Sequence, residues 1–263
     1  MSRIAERFAV LGRTGKKGFI PFVTAGDPDL ATSLQIMQTL AKRGADIIEM
    51  GVPFSDPMAD GPTIQRSSQR ALCRGIHLPA ILDLIRDFRK SSDIPVVLFS
   101  YLNPLWRFGL ERLRDEASDA GIDGILVTDM IGDEFDRTSR FFAGKDIDLI
   151  SLVAPTTTDN RLESISASAK GFIYAVSRAG VTGVREQTST SAEELITRVR
   201  RFTSLPVAVG FGISTRAQIE DVWRYADAAV VGSAIVAEIE RAGGKDVIST
   251  LDKFLGALVP LGA

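Results

Sequence analysis

What most constrains this chain is a regular alternation of short apolar runs with amphipathic segments, sustained from one end to the other. The runs cover Gly18 to Thr24, Asp46 to Met50, Ile94 to Ser100, Gly124 to Thr128, Asp148 to Val153, Phe172 to Val176, Pro206 to Gly210 and Ala228 to Gly232. Most are continuously apolar (PVVLF, GILV, FIYAV) rather than strictly alternating, which is how strands covered on both faces of a parallel sheet read. Between them, Leu30, Leu34, Met37, Leu40 and Ala41 recur at three- and four-residue steps, and so do Ile81, Leu82, Ile85 and Phe88; each set marks one face of a helix. Ser191 and Glu194 have the spacing of a capping box opening a further helix. Gly44 and Gly121 follow helical segments and suit a left-handed closing residue. Eight strand–helix units in 263 residues predict an α/β fold, a (β/α)8 TIM barrel forming a single domain over residues 1–263. The competing architecture is a doubly wound open sheet. Its glycine fingerprint is missing after the first strand, where the chain reads Thr24-Ala25-Gly26-Asp27-Pro28.

Composition narrows the chemistry. The 31 basic and 33 acidic side chains nearly cancel, with no large block of one sign, so neither a nucleic-acid nor a membrane partner is expected. One cysteine, Cys73, and one histidine, His77, are too few for an internal disulfide or a Cys/His zinc cluster. Acid–base work then falls to carboxylates, lysines, tyrosines or backbone amides. The opening MSRIAERFAV lacks the apolar core of a signal peptide, so a cytoplasmic location is expected.

In a barrel, functional residues gather at the C-terminal ends of strands and in the loops that follow. The second run ends in Glu49, and a loop stiffened by three prolines and two glycines follows from Gly51 to Pro62, presenting Ser55, Asp56 and Asp60. Glu49 should point into the barrel mouth, where partial desolvation raises its pKa towards neutrality. Asp60 reaches the same mouth from the loop, and two carboxylates in different environments can divide acid–base from charge-holding work. The competing reading is a structural ion pair for Glu49, with Asp56 and Asp60 binding their own turn amides. On the other side of the mouth, Ser177 to Gly183, Gly210 to Ser214 and Gly232-Ser233-Ala234 form glycine turns after the three late strands, a pattern suited to a phosphate. His77 is expected on the surface or at a helix cap, and Cys73 in packing. Lys16 and Lys17 fall at the barrel's bottom, and no lysine ends a strand, which argues against a Schiff-base aldolase. For Tyr174, core packing and a role in the mouth fit the pattern equally.

These residues resemble a known family. Glu49 to Gly61 (EMGVPFSDPMADG) is similar to the signature of tryptophan synthase α subunits. So are Pro21 to Pro28, Tyr101-Leu102-Asn103-Pro104, Ala154-Pro155-Thr156-Thr157, Ser177 to Gly183 and Gly210 to Ser214, all in order along nearly the whole chain. The resemblance implies a lyase that cleaves indole-3-glycerol phosphate to indole and glyceraldehyde 3-phosphate, with no metal or cofactor in this subunit. It implies Glu49 as general acid–base and Asp60 as the partner of the indole N–H. Gly183, Gly212, Gly232 and Ser233 would hold the phosphate, and Phe22, Leu126, Tyr174 and Phe211 the indole. Thr182 would meet Asp60 when the loops close. It also implies a β subunit in an α2β2 assembly, carrying pyridoxal phosphate and receiving indole through a tunnel. One departure stands out: Asp129-Met130-Ile131 replaces the family's Asp-Leu-Pro in a segment that lies towards the partner. Two other functions are weighed beside the lyase, a module whose main task is to activate or seal a partner, and a different phosphate-binding barrel such as a sugar-phosphate isomerase.

Overall fold

A computed structural model describes residues 2–130, 133–142, 144–176, 187–210 and 212–259. The elements run α1 (Arg3–Thr14), β1 (Gly18–Thr24), α2 (Leu30–Lys42), β2 (Ile48–Gly51), α3 (Pro62–Cys73), α4 (Leu78–Arg89), β3 (Val96–Ser100), α5 (Leu102–Phe108), α6 (Leu110–Ala120), β4 (Gly124–Val127), α7 (Asp133–Phe141), β5 (Asp148–Val153), α8 (Asp159–Ser168), β6 (Ile173–Val176), α9 (Gln187–Val199), β7 (Val207–Gly210), α10 (Arg216–Val222), β8 (Ala228–Val231), α11 (Ser233–Ala242) and α12 (Val247–Leu258). The eight strands pair in parallel, each with its sequence neighbours, and β8 closes on β1. This is the (β/α)8 barrel the alternation predicts.

Side chains along each strand divide between two apolar shells because successive residues point to opposite faces. Phe19, Val23, Ile48, Met50, Val96 and Leu98 face outward into the shell beneath the helices. Ile20, Phe22, Ile47, Val97, Phe99, Phe172 and Tyr174 belong to the inner shell. On β7 and β8 the inner positions are Ala208, Ala228 and Val230, none of them a ring, so the aromatic side chains of the interior gather on the other strands.

The bottom of the barrel is plugged by α1. Ile4, Phe8 and Leu11 lie on one helix face and enter the inner shell, with Phe8 tilted against Phe172 at 5.7 Å between ring centroids. Burying such side chains contributes roughly 1.5–3 kcal/mol each. Gly124 makes the plug possible, since a Cβ there would lie 3.0 Å from Ile4 Cδ1. Aspartates that lead into strands latch this end. Asp46, Asp123 and Asp227 accept the backbone N–H of Phe19, Val96 and Val207 at 2.7, 2.8 and 2.9 Å. From α1 and its cap, Arg7 donates to Asp46, Arg3 to Asp123 and Ser2 to Asp148. Lys17 is used at the same end, donating to the Ala226 carbonyl at 2.7 Å. Among the described residues, α1 and these bonds close the bottom of the barrel.

Local expectations fare unevenly. Gly44 and Gly121 take left-handed φ of +87° and +82° after their helices. Ser191 does not open its helix: α9 begins at Gln187, which leaves Ser191 inside it. Cys73 ends α3 exposed and is not packed. His77 is an exposed N-cap of α4 whose side chain makes no capping bond. Among the described residues no helix is long and apolar enough to cross a membrane.

Candidate active site

Glu49 lies within β2 rather than at its end, at the inward position that follows Ile47. Its register partners are Phe22 on β1 and Val97 on β3. The side chain is 0% exposed, and among the described residues neither carboxylate oxygen has a hydrogen-bond partner. Burial without compensation disfavours the charged form and pushes its pKa up to about 8. Among the described residues no cation pairs with the group, which does not favour the structural ion pair. A buried polar group left unsatisfied normally costs free energy, and in a barrel mouth its natural explanation is a ligand.

Asp60 approaches from the loop. Gly51 to Pro62 is held by specific bonds: Val52 N–H donates to the Phe99 carbonyl at 2.8 Å, Ala59 N–H to the Tyr101 hydroxyl at 2.9 Å, and the Gln65 amide to the Asp60 carbonyl at 2.9 Å. The Tyr101 hydroxyl also bonds the Asp60 carboxyl, which lowers its pKa, but burial outweighs that and raises it to about 6. Among the described residues, Tyr101 is thus the side-chain partner of the Asp60 carboxyl. Asp56 is exposed and accepts a hydrogen bond from Ser55.

Tyr174 packs in the inner shell. It is buried on the inner face of β6, and its phenol is pushed well above the usual range by burial and then by the nearby charges of Glu49 and Asp60. Both carboxylates therefore lie near enough to Tyr174 for their charge to act on its phenol. Phe22 meets Phe99 edge-on at 5.2 Å, and Phe99 meets Tyr174 at 6.4 Å, distances favourable for aromatic pairs. Leu126, fully buried, packs in the same inner cluster. Two glycines make room for these rings: a Cβ on Gly51 would stand 2.5 Å from Phe22 Cζ, and one on Gly210 would stand 2.0 Å from the Tyr174 hydroxyl oxygen.

Phe99 and Tyr101 escape the sequence reading as site residues. Phe99 ends a run without alternation, PVVLF, so its direction is not legible there. Tyr101 is visible only as part of the Tyr-Leu-Asn-Pro match. Gly51 and Gly210 read as turn residues, although their present use is to leave space for a ring.

Opposite the carboxylates, the later turns differ from one another. The amino end of α10 is satisfied internally, because Thr215 and Gln218 form a reciprocal capping box and Gln218 also accepts from Ser214. At α11, by contrast, Gly232 is the N-cap with no side-chain bond, and Ser233, the first helical residue, is exposed. An uncapped helix start of this kind presents N–H groups and positive potential to an anion. Gly212 takes φ +80°, a conformation that favours glycine in the turn after β7. Gly232 lies against Phe22, with a Cβ position 3.4 Å from the Phe22 ring, so the anion end and the aromatic end adjoin. Thr182, Gly183 and Phe211 lie outside the described residues, as does Ile131; Met130 is buried in the outer shell.

Comparison with known proteins agrees with this geometry. The family model described as tryptophan synthase alpha chain matches residues 8–256. The tryptophan synthase alpha chain of Citrifermentans bemidjiense is 46% identical over 258 residues, covering 98% of this chain and 97% of the relative. That of Acidiphilium cryptum is 50% identical over 250 residues, covering 94% and 89%. Among solved structures, tryptophan synthase subunit alpha from Legionella pneumophila superposes with a TM-score of 0.90 at 35% identity, covering 98% of this chain and 97% of the other. A chain from a study of mutual activation in the tryptophan synthase α2β2 complex of Pyrococcus furiosus gives 0.85 at 39% identity, covering 92% and 97%.

Proposed function

Since the chain belongs to the tryptophan synthase alpha chain family, a lyase that splits indole-3-glycerol phosphate into indole and glyceraldehyde 3-phosphate in tryptophan biosynthesis, we propose that Glu49 and Asp60 divide the chemistry of that cleavage. The observation that carries this assignment is the buried carboxyl of Glu49, without a hydrogen-bond partner among the described residues and with its pKa pushed up to about 8. At neutral pH such a group is mostly a carboxylic acid. It gives its proton to indole C3, and the ring becomes an indolenine with positive charge at nitrogen. Asp60, which ionises near 6, accepts a hydrogen bond from that N–H and holds the charge. The Glu49 carboxylate then takes the proton of the glycerol hydroxyl next to the ring. As that oxygen forms the aldehyde carbonyl, the carbon–carbon bond breaks and its electron pair restores the indole. The donated proton stays on C3, and Glu49 regains a proton for the next turnover.

Phe22, Leu126 and Tyr174, joined by Phe99, flank the indole, with Phe211 and Thr182 completing this end. Gly232 and Ser233 hold the phosphate at the start of α11, together with Gly212 and Gly183. The chain is read as one domain acting in the cytoplasm. Its partner in this reading is a β subunit in an α2β2 heterotetramer, and pyridoxal phosphate belongs to that partner, with no cofactor required here. The test is indole release from indole-3-glycerol phosphate. Glu49→Gln is expected to lower kcat by about 10²–10⁴-fold, the usual weight of a general acid–base, and near-normal turnover would reject the assignment.

A further inference from the structure

Four charged side chains join the loop after β1 to α3, which follows the Asp60 loop, and to α11, which begins at Ser233. Arg66 and Arg70 stand four residues apart on α3, hence on one helix face. Arg70 grips Asp27, in the loop after β1, with Nε to Oδ1 and Nη2 to Oδ2, both at 2.8 Å. Its remaining nitrogen, Nη1, donates to Glu240 on α11 at 2.7 Å. Glu240 also receives Arg66 through Nε and Nη2 at 2.8 and 2.7 Å. A buried hydroxyl pair, Thr24 with Ser67 at 2.7 Å, ties α3 to the end of β1 beside this network.

The placement is specific. Helix α3 begins directly after the Asp60 loop, and its Gln65 holds the Asp60 carbonyl. Helix α11 begins at Ser233, the phosphate end. Isolated exposed ion pairs contribute about 0–1 kcal/mol. Here, however, Asp27 is 3% exposed and each carboxylate is gripped by a two-pronged guanidinium, a geometry that fixes orientation as well as charge. The two arginines hold the Glu240 carboxyl down at about 2, so the link persists across the working pH range.

We infer that Arg70, acting through Asp27 and Glu240, is a positioning residue that sets the separation between the carboxylate end and the phosphate end of the substrate site. The inference rests on the two-ended reading given above. Its consequence is particular: loosening the link leaves each end able to bind its own half of the substrate but spoils the alignment of a molecule held at both. Misplacement by about 1 Å can cost on the order of 10²-fold in rate.

The test uses the full chain with Arg70→Met, Arg70→Lys and Glu240→Gln. Glu240→Gln keeps the Arg70–Asp27 fork, so it remains informative if Arg70→Met fails to fold. Indole and inorganic phosphate, titrated separately, probe the two ends, while steady-state cleavage of indole-3-glycerol phosphate reports the whole. For Arg70→Met, kcat is expected to fall about 10-fold or more, with both half-ligand affinities within about twofold of wild type. Glu240→Gln should show a smaller loss of the same kind, and Arg70→Lys should fall between because an ammonium cannot reproduce the fork. Wild-type kcat in the folded variants would overturn the inference, and so would half-ligand binding lost in step with turnover, which marks ordinary local disruption. Normal turnover by Glu49→Gln in the same assay would instead remove the reading beneath it.

Discussion

A glutamate with an ordinary value near 4.5, buried in register with Phe22 and Val97 and with no cation beside it among the described residues, favours the neutral form or a bound ligand. The pH dependence of stability follows. Below about 4.5 the group is protonated in both folded and unfolded chains; between 4.5 and about 8 the folded state keeps a proton that the unfolded state has lost. Glu49 therefore withdraws stability as pH rises through that window. Urea unfolding of Glu49→Gln should match wild type near pH 4.5 and exceed it on the order of a few kcal/mol above pH 8; equal pH dependence in the two proteins would contradict the burial argument. Catalysis samples the same two groups. Because Asp60 has to be ionised and Glu49 protonated at entry, kcat/KM should rise through about 6 and fall through about 8. Asp60→Asn should keep residual activity and lose the acid limb. A persistent acid limb in that variant would assign it to another group.

At the scale of elements, the strands were legible because both their faces are buried, which leaves an apolar run that no helix face imitates. What the runs do not carry is direction. In Val96-Val97-Leu98-Phe99 every residue is apolar, so nothing in the sequence separates inward Phe99 from outward Leu98. Glu49 was legible for the opposite reason, as a charge interrupting such a run. Helix starts were harder: Ser191 and Glu194 have the right spacing, yet α9 begins at Gln187 and absorbs them. The glycines at strand ends also carry two meanings that sequence alone merges, a turn at Gly212 and a space at Gly210. The second is testable. In Gly210→Ala the new methyl would fall 2.0 Å from the Tyr174 hydroxyl oxygen, too close for any flexible adjustment short of moving the ring. Overpacking of this kind costs about 1–3 kcal/mol of stability, and displacing Tyr174 should lower kcat by roughly 10²-fold. A fully active, equally stable Gly210→Ala would show that the ring is free to leave its place.

The whole molecule is a barrel with one end shut and the other equipped. Helix α1 and the aspartates at the strand starts close the bottom, and they were not legible as a latch because their partners are distant in sequence: Ser2 meets Asp148, and Arg3 meets Asp123. In the inner shell, the rings and the buried carboxyl lie on β1, β2, β3 and β6, while β7 and β8 contribute Ala208, Ala228 and Val230. That asymmetry sets an aromatic end apart from the start of α11, matching the proposed substrate, aromatic at one end and anionic at the other. The exposed Met58 and Trp106 lie in the loop after β2 and in α5 after β3. The most direct measurement of the two-ended site is a crystal structure of the Glu49→Gln variant with uncleaved indole-3-glycerol phosphate. The phosphate should lie within hydrogen-bond distance of the Gly232 and Ser233 backbone amides, with the indole ring against Phe22 and Tyr174 and its N–H on Asp60. A phosphate bound away from the start of α11, or an indole ring out of reach of Asp60 and position 49, would contradict it.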